Sequence, residues 1–196
     1  MDPSLFRRLP RPLLFALAAV LQIAAVAWMV VDRATILRGG TEVMLETTPI
    51  DPRDFLRGDY VVLRYGISTM PAGALKDRPA ERKAPVYVTL SKGPDGFHRA
   101  VSAHASPPIL ATGDVLIQGR IKRGDNCGPQ RRAYCETLTV AYGLESFFVP
   151  EGEGRELERA RDDRKVAVVA SVAPSGRAAI KRLMVDGKPV YDEPMF

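Results

Sequence analysis

Five charged residues of alternating sign in one short segment are the first candidates for chemistry in this sequence. They are Asp51, Arg53, Asp54, Arg57 and Asp59. A carboxylate that acts as a general acid or base needs a raised pKa, whereas an aspartate beside an arginine keeps its charge. Close Asp–Arg pairs can also order an irregular loop through bidentate hydrogen bonds. The alternation therefore favours a loop held by ion pairs over a contact with a partner or ligand, and both over catalysis.

The strand that follows this loop supplies two more candidate contact residues. Side chains alternate between the two faces of a strand. Val61, Leu63 and Tyr65 therefore share one face, which we expect to join the core. Tyr60 and Arg64 lie on the opposite face and are added to the candidate binding residues.

Nucleophilic catalysis and metal binding receive little support from the sequence. It contains no Gly-x-Ser-x-Gly elbow. His98 and His104 are six residues apart on one predicted strand, where we expect them to share a face without a clear Ser or Asp partner. The two histidines and the two cysteines lie in separate segments, so no metal site and no cofactor is predicted.

An apolar run near the amino terminus predicts a membrane segment. Between Leu13 and Val31 only Gln22 is strongly polar, and a helix of this length spans roughly 28 Å at ~1.5 Å per residue, close to the ~30 Å core of a bilayer. Three arginines precede the run, which favours a cytoplasmic segment 1–12, an anchor 13–31 and an exported domain 41–196. A cleaved signal peptide is the alternative, because Ala25-Val26-Ala27 resembles a cleavage site. We expect a single-pass protein of the inner membrane with its carboxyl-terminal domain on the periplasmic or extracellular side.

The charge distribution argues against a nucleic-acid partner. The net charge is +5, but part of it comes from the three arginines before the apolar run. The other charges are mixed in sign, and no basic stripe carries aromatic residues spaced for base stacking. No nucleic acid is therefore expected as a partner.

The two cysteines agree with an exported domain. Cys127 and Cys135 flank a polar loop between two strand-like runs. In an oxidising compartment they could close this loop with a disulfide, although two unpaired thiols remain possible.

Short β-branched and aromatic runs, separated by Gly, Pro and Asp, predict a mainly β domain, α+β at most. The predicted strands are 41–47, 60–67, 85–91, 97–105, 114–121, 136–142, 165–172 and 177–185. Pro-x-Gly turns at 93–96 and 173–176 predict two hairpins. A short helix is expected only at 154–161, with a possible turn at 74–82.

The order of these features repeats. Leu63-Arg64-Tyr65-Gly66-Ile67 parallels Val140-Ala141-Tyr142-Gly143-Leu144, and each is followed by a connector and a hairpin. This indicates two similar halves, about 41–106 and 113–190, related by a pseudo-twofold axis. A chance likeness between two strands is the alternative.

We call residues 63–67 and 140–144 the two Tyr-Gly segments. The apolar pair Phe147 and Phe148 follows the second of them. These side chains could cap the core or form an apolar contact with another protein. Both are kept as candidate binding residues.

Residues 58–65, Gly-Asp-Tyr-Val-Val-Leu-Arg-Tyr, resemble the signature of the GDYXXLXY proteins, a bacterial family. The segments 49–54 and 142–152 are also similar to that family. The resemblance implies a membrane-anchored protein that accompanies a multi-pass membrane protein, and it supplies no catalytic residues. We therefore expect a non-catalytic accessory or binding subunit of the cell envelope. The alternative is an envelope hydrolase that uses Asp51, Asp54 or Asp59.

Overall fold

The computed structural model describes residues 10–49, 60–77, 84–122, 137–148 and 166–193. The chain divides into two units, Met1–Thr35 and Ile36–Phe196. One helix begins in the first unit, and every described strand lies in the second. The predicted fold class, a mainly β protein with an amino-terminal apolar helix, is confirmed.

Helix α1 comprises Arg11–Gly39, 29 residues. In the part of the chain that the structure describes, it is the one helix long and apolar enough to cross a membrane, with a mean hydropathy of 2.4 over its most apolar stretch. Large apolar side chains such as Phe15 and Trp28 are about three-quarters exposed. A helix that is apolar on all sides and not covered by protein is typical of a membrane span.

The helix continues eight residues beyond the predicted anchor because its last turn packs within the β unit. Ile36 and Leu37 are buried and form a small cluster with Ala179. The hydroxyl of Ser171 donates to the carbonyl of Ile36 at 2.6 Å, and the N–H of Gly40 donates to the same carbonyl at 3.0 Å. Strand β1 begins at the next residue, so no linker separates the helix from the β unit.

In the described residues, twelve strands follow the helix. They are β1 Thr41–Thr48, β2 Tyr60–Val62, β3 Arg64–Tyr65, β4 Thr69–Pro71, β5 Pro85–Lys92, β6 His98–His104, β7 Val115–Ile121, β8 Thr137–Ala141, β9 Ser146–Phe148, β10 Val166–Val172, β11 Ala178–Val185 and β12 Lys188–Asp192. Single 3₁₀ turns lie at Gly66–Ser68 and Ala72–Ala74. Seven of the eight predicted strands are found within about a residue of their predicted bounds, and the predicted strand 60–67 is divided into β2, β3 and a 3₁₀ turn.

The strands form two five-stranded sheets and one two-stranded pair. The orders are β12-β11-β10-β1-β3, β4-β8-β7-β5-β6 and β2-β9. All pairings between these strands are antiparallel. One buried cluster takes residues from both larger sheets, including Leu45, Leu90, Ile117 and Leu183. Burial of such aliphatic side chains contributes about 1.5–3 kcal/mol each.

Two pairings in one part of the β unit have counterparts in the other. The antiparallel pairing of β1 with β10 corresponds to the antiparallel pairing of β7 with β5. The hairpins β5–β6 and β10–β11 each contain one irregularity, after Thr89 and after Val169. Their turns contain Gly96 and Gly176, both with φ of +86°. Thr89 and Val169 differ by eighty positions, as do Gly96 and Gly176, so the two hairpins have the same register and equivalent turns.

The short strands show the same correspondence. Tyr60 pairs with Phe148 on β9, while Thr137 pairs with Pro71 on β4. Tyr60 and Thr137 are seventy-seven positions apart in the sequence, and so are their partners, Pro71 and Phe148. The strand before Tyr65, β2, therefore pairs with the strand after Tyr142, β9. The strand before Tyr142, β8, pairs in turn with the strand after Tyr65, β4.

The two histidines lie on opposite faces of β6, so the expectation that they share a face is wrong. The register places Leu90 opposite Ala100 but Thr89 opposite Ser102, which leaves Val101 as an extra residue. A β-bulge of this kind reverses the alternation of side chains along the strand. His98 consequently faces the core, where the N–H of Met44 donates to its Nδ1 at 3.2 Å, and burial lowers its pKa.

Candidate functional site

Most of the residues predicted to bind lie outside the described part of the chain. These are Asp51, Arg53, Asp54, Arg57 and Asp59. The predicted disulfide between Cys127 and Cys135 and the predicted helix 154–161 also lie outside the described residues. The backbones of Tyr60 and Phe148 are described, but their side chains are not. Arg64 is exposed on β3, on the opposite face from the buried residues Leu63 and Tyr65.

Phe147 caps the core. Its side chain is 6% exposed and meets the ring of Tyr191 edge-on, with ring centroids 4.9 Å apart. Such T-shaped aromatic pairs add about 0.5–1.5 kcal/mol beyond the burial of their area. This is the core-capping alternative, and in this conformation Phe147 offers no exposed apolar surface to a partner.

Two buried tyrosines exchange hydrogen bonds across the β unit. The hydroxyl of Tyr65 donates to the carbonyl of Leu144 at 2.6 Å. The hydroxyl of Tyr142 donates to the carbonyl of Ile67 at 2.8 Å. Each acceptor lies two residues after the other tyrosine, so the two Tyr-Gly segments bind each other reciprocally.

Burial makes both phenols poor proton donors in chemistry. It raises the pKa of Tyr65 and of Tyr142 above their usual value, and the nearby charge of Glu145 raises both further. The Glu145 carboxylate itself accepts from the N–H groups of Tyr142 at 2.6 Å and Gly143 at 2.9 Å. The arrangement fixes backbone segments and holds no group ready to react.

A groove of about 640 Å³ lies beside this tyrosine pair, and we call it the β7–β8 groove. Its lining comes from β7, from the end of β8 with the residues after it, and from the start of β11. The lining residues are Gln118, Gly119, Arg120, Ala141, Tyr142, Gly143, Glu145, Arg177 and Ala178. The volume falls within the range of ligand-binding clefts, roughly 300–1,000 Å³.

Local packing explains how this groove forms. A side chain at Gly119 would meet Val140 and would lie 2.9 Å from the carbonyl of Ala141. The absence of a side chain there lets the end of β8 approach β7 closely. The N–H of Gln118 donates to the carbonyl of Gly176 at 2.7 Å, and this bond seats the β10–β11 turn against β7, beside Arg177.

A second polar cluster lies on the outer face of β6. The Nδ1 of His104 is 3.3 Å from Oδ1 of Asp77, and its Nε2 is 3.0 Å from Oγ of Ser102. The expectation that neither histidine has a Ser or Asp partner is therefore wrong for His104. The connectivity, a carboxylate on one ring nitrogen and a hydroxyl on the other, is that of a serine nucleophile with its base.

Sequence patterns predicted only part of these sites. The bulge at Val101, which puts Ser102 and His104 on the outer face, leaves no mark in the hydrophobic pattern. Asp77 reaches β6 because the segment before it docks there: the N–H of Lys76 donates to the carbonyl of Ala103 at 2.9 Å. The Tyr-Gly parallel did single out Tyr65 and Tyr142, but it gave no indication of their exchange.

Comparison with known protein families places the chain beside one described family. A family model described as "GDYXXLXY protein" matches residues 22–183. The match extends from the middle of α1 into β11 and includes the β7–β8 groove, the tyrosine pair and the Asp77–His104–Ser102 cluster. Neither a curated protein nor a solved structure matches the chain.

Proposed function

Because the chain belongs to the GDYXXLXY protein family, we propose that it is a membrane-anchored binding subunit that works beside a multi-pass membrane protein. In this proposal α1 is a single-pass anchor in the inner membrane. The β unit is exported and consists of two similar halves, and it presents a rigid surface to the partner. The sequence resemblance implied this class of role.

The reciprocal tyrosine pair is the observation that supports a binding role most. Leu63 and Tyr65 are the last two specified residues of the family signature, and both are 1% exposed. The Tyr65 hydroxyl is bound to a backbone carbonyl and has a raised pKa. Signature residues used in this way specify a shape and not a reaction, which suits a subunit that acts by binding.

The two-half arrangement supports the same proposal. The shared register of the β5–β6 and β10–β11 hairpins and the reciprocal pairings of the short strands support the proposal of two similar halves. The last turn of α1 packs within this unit through Ile36 and Leu37.

Copurification tests the proposal. The full-length chain, tagged at its carboxyl terminus and expressed at its native level, would be extracted in mild detergent with the anchor intact. We expect one multi-pass membrane protein to be recovered in constant molar ratio, and we expect that protein, when tagged in turn, to recover this chain. Recovery of no membrane protein above the level seen with untagged cells would reject the binding-subunit role.

The Asp77–His104–Ser102 cluster favours a second candidate function, an envelope hydrolase. With Nδ1 of His104 protonated toward Asp77, its Nε2 can accept the proton of Ser102. The serine oxygen would then bond to the acyl carbon of an ester, and the departing alcohol would take the proton from His104. Water would hydrolyse the acyl-serine and restore the hydroxyl. The residues of the original hydrolase hypothesis, Asp51, Asp54 and Asp59, lie outside the described part.

A fluorophosphonate probe tests this second candidate. If Ser102 is an activated nucleophile, the folded wild-type chain is labelled, while Ser102→Ala and His104→Gln lose nearly all labelling. Ser91→Ala, on the neighbouring strand β5, should be labelled like the wild type. Absence of labelling in the folded wild type, or labelling that survives Ser102→Ala, rules out this candidate.

A further inference from the structure

We infer that the hydrogen bond between Met44 and His98, which we call the latch, is an acid-sensitive switch that fastens the β5–β6 hairpin to β1. The N–H of Met44 donates to Nδ1 of His98 at 3.2 Å. Only an unprotonated nitrogen can accept this bond, so the ring is neutral and carries its proton on Nε2. A second proton, on Nδ1, turns the acceptor into a donor that faces the Met44 N–H, and the latch opens. The latch operates whether or not the chain has a partner protein.

The latch connects the two larger sheets. His98 is the first residue of β6, and Met44 lies near the middle of β1, which belongs to the other sheet. The bulge at Val101 turns the His98 side chain toward the core, where it is 8% exposed. A charged ring at this position loses much of its hydration. Protonation therefore favours a conformation in which the hairpin has moved and the ring reaches water.

The nearest positive charge also opposes protonation of His98. Lys92 lies directly opposite His98 in the pairing of β5 with β6. Burial lowers the pKa of His98, and the positive charge of Lys92 lowers it further. The ring therefore stays neutral in the closed latch at a pH where an exposed histidine would already be charged.

The carboxylates near the latch do not offset a charge on the ring. On β1, Glu42 accepts from Lys181 at 2.8 Å, and the charge of Glu46 acts on Arg99. In the hairpin turn, Asp95 accepts from Arg99 at 3.1 Å. The 3₁₀ turns beside β6 contain no charged residue. None of these three carboxylates pairs with the histidine in the described part of the chain, so none compensates a positive ring.

The other hairpin is fastened without a titratable group. The N–H of Gln118 donates to the carbonyl of Gly176 at 2.7 Å, which holds the β10–β11 turn on β7. A backbone carbonyl stays an acceptor at any pH at which the protein is folded. An imidazole, in contrast, changes charge between about pH 5 and 8. The fold can thus fasten a hairpin without histidine, and the latch makes one of the two hairpins respond to pH.

The direction of the response follows from the two states of the latch. With the hairpin open, His98 titrates near the ordinary histidine pKa of about 6.5. In the closed latch its pKa is lowered by burial. The open state therefore binds the proton first, so the latch is fully stabilising above about pH 6.5 and weakens as the pH falls toward the pKa of the closed state. One proton changes the opening equilibrium by at most about tenfold per pH unit.

Hydrogen–deuterium exchange of the full-length chain in detergent tests the latch. Between about pH 7.5 and about pH 5.5, corrected for the intrinsic effect of pH on exchange, protection of residues 42–46 and 89–99 should fall severalfold, up to about tenfold. Residues 171–178 of the other hairpin should change by less than about twofold. In His98→Asn the amide oxygen can still accept from Met44 but does not titrate, so this fall should vanish. His104→Asn removes the chain's other histidine and should respond like the wild type.

A second measurement covers the case in which His98→Asn does not fold. In the wild-type chain, ring ¹⁵N shifts should show His98 as the Nε2–H tautomer at about pH 7.5, with a titration midpoint below about 6.5. The Met44 amide signal should change together with that titration. Protection that does not depend on pH in the wild type, a fall that persists in His98→Asn, or a fall of equal size in both hairpins would overturn the inference. So would a Met44 amide signal that is indifferent to the titration of His98.

Discussion

Replacing both Tyr65 and Tyr142 by phenylalanine is expected to lower the free energy of unfolding of the β unit by about 2–6 kcal/mol. Each single change removes one hydroxyl and leaves one buried carbonyl without that donor, which costs about 1–3 kcal/mol. The ring is retained in phenylalanine, so the loss reports the hydrogen bond and not a cavity. Chemical unfolding in detergent, monitored by far-UV circular dichroism, measures this loss of stability.

The control for this pair is Tyr87→Phe. Tyr87 is half-buried on β5, and among the described residues its hydroxyl has no hydrogen-bond partner. We expect its replacement to change stability by no more than about 0.5 kcal/mol. If Tyr65→Phe/Tyr142→Phe is as mild as Tyr87→Phe, the reciprocal exchange does not hold the two Tyr-Gly segments together.

Gly40→Ala should destabilise the junction between α1 and β1 by about 1–3 kcal/mol, the usual cost of forcing extra atoms into a packed site. A side chain at Gly40 would meet the Ser171 hydroxyl and would lie 2.7 Å from the carbonyl of Ile36 and 2.9 Å from the N of Val172. The last two are backbone atoms, which cannot turn aside as a flexible side chain would. The bond from Ser171 to Ile36 should therefore break. Thermal unfolding in detergent would show the loss.

The adjacent glycine provides a matched control for Gly40. At Gly39 an added side chain would have no neighbouring atom within 4 Å. Since alanine is favoured over glycine within helices by up to about 1 kcal/mol, Gly39→Ala should be neutral or slightly stabilising. Equal effects of the two substitutions would show that close packing at Gly40 does not fix the junction.

Local patterns predicted much of this fold because core strands alternate or run apolar over several residues. Strands such as β10, Val166–Val172, and β7, Val115–Ile121, have enough apolar β-branched residues to be recognised alone. The short strands β4, β9 and β12 were not predicted. They have three to five residues each, and β4 and β9 are strands only because a distant segment pairs with them.

The candidate sites depend on long-range geometry to a greater degree. The exchange between Tyr65 and Leu144 joins residues 79 positions apart, and no local signal carries that distance. The bulge at Val101 likewise depends on the register between β5 and β6. The alternating charges predicted a functional loop from Asp51 to Asp59, and the cysteine spacing predicted a disulfide between Cys127 and Cys135. Both segments lie outside the described residues, so both stay predictions.

The central claim is that Tyr65 serves the fold and that the protein acts by binding. The most direct measurement is the amount of partner recovered per folded molecule with the wild-type chain and with Tyr65→Phe, at a temperature where both are folded. We expect Tyr65→Phe to unfold at a lower temperature but to recover the partner in the same molar ratio as the wild type. Unchanged stability with a clear loss of partner would contradict the account, because Tyr65 would then act at the contact and not in the core.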